Sequence, residues 1–259
     1  MKKETLFVAF STQKGGMGKT ALTVLMASHL HYVKGYHVGI IDCDYPQHSI
    51  SEMRKRDGEL VMKDETFKRM AFRQFSTLHV KAYPVRESTA DKAIQDAKEL
   101  MESSEEDFDV IFFDLPGTLN SDGIIQTLAA MDYILTPISA DRVVLESTLQ
   151  YAIMLNENLI TANKGNIKGL YLFWNMVDGR EKTSLYEAYE SAIAELGLPI
   201  LKTVLPDSKR FRKEVSDERK TVFRSTLFPI DKSLLKGSNI SELVEEICQT
   251  INLLKNDNE

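Results

Sequence analysis

Short apolar runs rich in β-branched and aromatic residues alternate along this chain with longer stretches of helical period, and that alternation admits few folds. The runs at residues 6–10, 37–42, 110–114, 133–137 and 170–175 read as strands, with further strands expected near 79–83 and 200–204. Helices are predicted over 20–33, 90–103, 122–130, 142–156 and 184–196. In a final helix Ile240, Leu243, Val244, Ile247, Ile251 and Leu254 follow the i, i+3, i+4, i+7 spacing, with Asn239 and Glu242 as a capping pair. The pattern predicts an α/β fold: a doubly wound, mostly parallel sheet with helices on both faces. Residues 52–73 interrupt it, since twelve charged side chains of both signs and no strand pattern predict a solvated helical excursion. No repeat or linker divides the chain, so one domain over 1–259 is expected.

Composition narrows the function classes. With 32 Lys plus Arg against 38 Asp plus Glu the formal charge is −6, which excludes a uniformly basic nucleic-acid coat protein. At 43% hydrophobic residues the chain can bury a large core, and disorder is not expected. Cys43 and Cys248 form no CxxC pair, so neither a disulfide framework nor a cysteine zinc site is indicated, and a reducing, cytoplasmic setting is expected. The apolar stretch behind Met1-Lys2-Lys3 is too short for a secretory signal. No uncharged apolar run reaches the roughly 18 residues that cross a bilayer.

Chemistry concentrates where the first strand meets the first helix, at Lys14-Gly15-Gly16-Met17-Gly18-Lys19-Thr20-Ala21. Glycines let backbone N–H groups turn inward and approach phosphate oxygens, and the following helix N-terminus adds a favourable dipole. Lys19 is placed to neutralise β- and γ-phosphate charge, and the Thr20 hydroxyl to complete a Mg²⁺ shell. The pattern G-x-x-x-x-G-K-[ST] is not met, because its first glycine falls on Gln13; a second lysine, Lys14, stands at the loop entrance. Phosphoryl transfer also needs acids at the carboxyl ends of strands. Two segments supply them: Asp42-Cys43-Asp44-Tyr45-Pro46-Gln47, and the apolar strand ending Phe113-Asp114 with Leu115-Pro116-Gly117 behind it.

The loop with two lysines resembles the deviant Walker A motif of the ParA/MinD superfamily of P-loop ATPases. Asp42 to Gln47 is similar to the D-x-D-P-Q switch I segment of that family, with Tyr45 as an extra residue, and the strand ending at Asp114 is similar to its Walker B strand and switch II. The resemblance implies ATP and Mg²⁺ as ligands and Lys14, Lys19 and Asp44 as catalytic residues. By that resemblance Lys14 is expected to reach a partner subunit's phosphates and Asp44 to orient the attacking water. It implies Thr20, Asp42 and Asp114 around the magnesium, the Gly117 N–H as a γ-phosphate sensor, and loop residues 14–21 as the phosphate cradle. Ala21 departs from the hydroxyl residue common there. Residues 173–178 resemble the family's base strand, and Asn175 is the base-recognition candidate because an amide both donates and accepts on one edge. Pro206 and Asp207 fall where relatives have a base-packing loop.

Fold and nucleotide do not settle the output. A MinD-like positioning ATPase binds membranes through a basic amphipathic C-terminal helix, whereas residues 238–259 carry five acids and Lys255 as their one base, so no membrane contact is expected. Dethiobiotin synthetase, a metabolic enzyme with a similar loop, usually lacks the early lysine. The ParA branch implies a homodimer when ATP is bound, non-specific DNA as a partner, and an activating protein partner, in DNA partitioning or conjugative transfer. Residues 202–224 hold eight Lys and Arg against four Asp and Glu, a net +4 that leaves −10 for the rest, so a local cationic surface is expected. With no DNA-reading segment ahead of the loop, the short form of that branch is expected.

Overall fold

A computed structural model describes residues 4–117, 123–180, 183–216 and 220–253. Six strands, β1 (Leu6–Phe10), β2 (Val38–Asp42), β3 (Val85–Glu87), β4 (Val110–Asp114), β5 (Tyr133–Ile138) and β6 (Gly169–Trp174), form one parallel sheet in the order β3-β2-β4-β1-β5-β6. Helices α1 (Lys19–Tyr32), α2 (Ser49–Lys63), α3 (Glu65–Leu78), α4 (Ala93–Ser103), α5 (Ile124–Ala129), α6 (Arg142–Leu155), α7 (Thr183–Glu195), α8 (Lys232–Leu235) and α9 (Ile240–Thr250) surround it. A two-stranded ribbon, β7 (Val215–Ser216) with β8 (Thr221–Val222), lies outside the sheet.

Side chains alternate across each strand and so feed two cores. From β4, Val110 and Phe112 join the cluster that contains α1 and α9, whereas Ile111 and Phe113 join the one that contains residues of α4, α5, α6 and α7. The expected strands at 6–10 and 110–114 form as read, and the others shift by a residue at an end. Because β1 lies between β4 and β5, the chain leaves the sheet in opposite directions on either side of it. A crevice therefore opens above its carboxyl end.

Three expectations need correction and one is sharpened. Residues 79–83 are not a strand: α3 runs to Leu78, His79 turns left-handed at φ 54°, and Tyr83 is fully buried, so pairing with β2 starts only beyond Pro84. Residues 200–204 make one bridge to β6, at Ile200, because the N–H groups of Lys202 and Thr203 donate to the Glu246 carboxylate of α9 at 2.6 and 2.7 Å. The charged stretch is helical as expected, and divides into a pair of helices, since Asp64 ends α2 and caps α3 by accepting from the N–H groups of Thr66 and Phe67. Asn239 does not cap α9: it is left-handed at φ 58° and its side chain donates to the Val204 carbonyl at 2.8 Å. Asp122 and Leu254, the ends of two predicted helices, lie outside the described residues. Among the described residues no helix is long and apolar enough to cross a membrane.

Candidate functional site

The glycine loop leaves β1 and enters α1 with Gly16 and Gly18 at φ 78° and 79°, a region in which a side chain is strained. The turn brings Lys19 back over the loop, where its ammonium donates to the carbonyls of Thr12 and Lys14, each at 3.4 Å. Burial lowers the Lys19 pKa, and the charges of Asp114 and Asp44 work against that shift. Gly117 closes the loop from the β4 side: a Cβ there would lie 3.0 Å from the Lys19 ammonium. Bulk at this position would displace the lysine.

Asp42 and Asp114 are register partners at the ends of neighbouring β2 and β4. Thr20 donates its hydroxyl proton to Oδ2 of Asp114 at 2.8 Å, and Oδ1 of the same carboxylate is buried without a partner. Burial pushes the Asp114 carboxyl up to about 7; the nearby Asp42 and Asp44 charges add to the shift, and the Thr20 hydrogen bond opposes it. Asp42 is used differently. Its Oδ2 accepts from the N–H groups of Ile50 and Ser51, at 3.0 and 2.9 Å, and so holds the first turn of α2. Burial raises its pKa against those bonds.

Above these groups opens a cavity of about 760 Å³. Of the residues expected from the sequence, Gly15 to Ala21, Asp44, Gly117, Asn175, Pro206 and Asp207 line it. Lys14 is half-buried and outside that lining, and Asp42 and Asp114 lie behind it. Asn175 donates to the Met17 carbonyl at 3.0 Å and accepts from the Met176 N–H at 3.0 Å, so one donor and one acceptor of its amide are spent inside the protein. Gln47, Met176, Phe211 and Arg224 also line the cavity and were not singled out from the sequence. Gln47 belongs to a segment already marked by its acids. Phe211 and Arg224 sit in the cationic stretch, where charge masks their position.

That stretch is less uniform in space than in sequence. Arg210 donates to the carbonyls of Leu234 and Lys236, both at 2.8 Å, Arg224 pairs with Glu214, and Lys220 with Asp64. Lys202, Lys209 and Lys213 are exposed. Asp217, Glu218 and Arg219 lie outside the described residues.

The donor set fits a small hard cation. Among the described residues no three His, Cys, Asp or Glu side chains converge as a closed metal cage. A hydroxyl and a carboxylate beside a phosphate cradle are the partial oxygen shell that Mg²⁺ takes when waters and phosphates complete it. The unpartnered Asp114 oxygen needs either a proton or a cation.

Comparison with known proteins agrees with this geometry. Residues 8–222 match the family model described as the CobQ/CobB/MinD/ParA nucleotide binding domain. No curated protein matches by sequence. Among solved structures, the chain is similar to a plasmid partition protein from Borrelia burgdorferi B31 bound to AMPPNP, with 15% identity, 95% of this chain and 100% of that one covered, and a TM-score of 0.61. It is also similar to MinD in the MinC:MinD cell division complex of Aquifex aeolicus, at 15% identity, 98% and 99% coverage and a TM-score of 0.60. A third is the cell division ATPase MinD of Pyrococcus furiosus, at 17% identity, 95% and 100% coverage and a TM-score of 0.58. These likenesses match the sheet and its helices to the fold of P-loop ATPases. With the family model spanning most of its length, the chain belongs to the CobQ/CobB/MinD/ParA nucleotide-binding family.

Proposed function

We propose that this protein is a Mg²⁺-dependent ATPase whose ATP-bound form dimerises and binds DNA without sequence preference, and that hydrolysis resets it. The observation that carries the reading is the Thr20–Asp114 pair: Thr20 lines the glycine-rich cavity, and Asp114, with its unpartnered oxygen, stands behind it. Thr20 and Asp114 would hold the magnesium, with Asp42 acting through water; when bound, the ion neutralises charge on the β- and γ-phosphates. The loop N–H groups and the Lys19 ammonium bind the phosphate chain. Asp44 faces the same space and orients the attacking water, and the Gly117 N–H reports the γ-phosphate.

Lys14 supports the dimer, since it does not line the cavity of its own chain and is left to act on a partner's phosphates. DNA contact is supported by the exposed Lys202, Lys209 and Lys213. Membrane attachment through α9 is disfavoured because Ile240, Leu243, Val244 and Ile247 are buried in the core. A role in DNA partitioning or transfer, and a protein that stimulates hydrolysis, complete the reading.

The test is DNA binding with ATP, ADP or no nucleotide across a salt series. ATP-gated affinity that falls steeply with salt is expected, and Lys209→Ala with Lys213→Ala should flatten the logarithmic salt slope by about one for each phosphate no longer neutralised. Affinity indifferent to nucleotide would overturn the DNA switch. Nucleotide-driven dimers without DNA binding would move the protein toward a positioning role, and turnover of a small carboxylated substrate toward a metabolic one.

A further inference from the structure

Beyond the residues that the nucleotide motifs mark, the cavity wall carries a planar cation. Arg224 follows β8 and lines the cavity beside Phe211. Its side chain is 18% exposed and is anchored by one edge: one terminal nitrogen donates to Glu214 at 2.9 Å, the other donates to the Phe211 carbonyl at 3.4 Å, and Nε is buried with no acceptor. A guanidinium has five N–H donors, so this anchoring sets the plane of the group without satisfying it.

The mounting is stiff. Glu214 is also paired with Arg56 of α2 at 3.1 Å. The next two residues are tied to the same helix, where the buried carboxylate of Asp57 accepts from Ser225 Oγ at 2.9 Å and from the Thr226 N–H and hydroxyl at 2.7 and 2.8 Å. The ring of Phe211 is fixed edge-on against Phe223, with centroids 5.2 Å apart. Phe211 and Arg224 are thus both fixed in the cavity lining, on a wall that the phosphate loop does not occupy. The amide expected to read the base, Asn175, has part of its capacity committed to Met17.

Planar guanidinium groups stack on nucleobases through both dispersion and the attraction of a cation for a π-face, and purines offer the larger face. We infer that Arg224, with Phe211 beside it, forms the nucleobase-binding wall of the cavity and favours a purine. The inference rests on the nucleotide-binding reading above.

Competition of ATP and UTP against a fluorescent adenine nucleotide, with Mg²⁺ present, tests it. The wild-type protein should prefer ATP, and Arg224→Gln should shrink the ATP-to-UTP affinity ratio by about tenfold, the scale of one desolvated cation–π contact. Arg224→Lys should shrink it similarly, because the charge stays and the plane is lost. Glu214→Gln, at a partly exposed position where folding is safer, should shrink it less, by roughly threefold, because the guanidinium stays but loses its anchor. A ratio unchanged in Arg224→Gln, an equal loss of ATP and UTP affinity, or a wild-type protein indifferent to the base would each overturn the inference. If the wild-type protein binds neither nucleotide, the nucleotide reading itself falls.

Discussion

The hydroxyl of Thr20 and the carboxylate of Asp114 meet at 2.8 Å across the junction of α1 and β4, and the other oxygen of that carboxylate, buried, finds no partner. Asp114→Asn keeps the shape and removes the charge. ATP with Mg²⁺ should raise the melting temperature of the wild-type protein more than ATP with EDTA does, whereas Asp114→Asn should show equal shifts under both conditions. An undiminished magnesium increment in the variant would remove Asp114 from the metal site.

Lys19 and Asp44 separate binding from turnover. Lys19→Ala deletes a partly desolvated ammonium, so the empty protein should melt no lower than wild type while ATP affinity drops by at least tenfold. Asp44→Ala should still bind ATP, hydrolyse it at least a hundredfold more slowly, and accumulate as a dimer in size-exclusion chromatography. Wild-type turnover in the second variant would exclude Asp44 as the water-orienting group.

Two glycines predict opposite effects of one methyl group. Gly58 lies within α2, and a Cβ there meets nothing within 4 Å, so Gly58→Ala should stabilise by about 0.5–1 kcal/mol. Gly123 has φ +94°, and its Cβ would fall 2.5 Å from Asp91 Cα. Gly123→Ala should cost roughly 2–4 kcal/mol. Chemical denaturation of both variants against wild type measures the difference.

Asp57 gives a pH dependence whose sign follows from its burial. Desolvation raises its pKa above the ordinary carboxylate value, against the opposing hydrogen bonds from Thr226 and Ser225. The native state therefore holds an extra proton in the window that opens near pH 4, and stability falls as pH rises through it. Asp42 and Asp114 act in the same direction. Asp57→Asn, away from the cavity, should lower the slope of stability against pH in urea titrations from pH 4.5 to 8. An unchanged slope would mean that the buried Asp57 is ionised throughout.

The sheet was legible because buried parallel strands demand continuous apolar runs, and 110–114 could be little else. The phosphate loop was legible for a related reason: glycines spaced around a lysine leave few alternative backbones. Local patterning failed where a distant group set the outcome. Glu246 draws the N–H groups of Lys202 and Thr203 away from β6, and the Val204 carbonyl takes the Asn239 side chain from α9. Arg224 was hidden because it borders the loop cavity only through folding, and a run of eight cations reads as surface whether or not one of them faces inward.

The stretch that looked most like expendable exterior is the scaffold on which the cavity hangs. Asp42 grips the start of α2, Asp57 holds Ser225 and Thr226, and Arg56 steadies Glu214, so a single rod of about 22 Å joins the floor of the cleft to its outer wall. Trimming residues 52–73 to make a smaller protein would spare every glycine of the loop and still leave the cleft without one side. Engineering that treats charge density as a licence to cut would fail here.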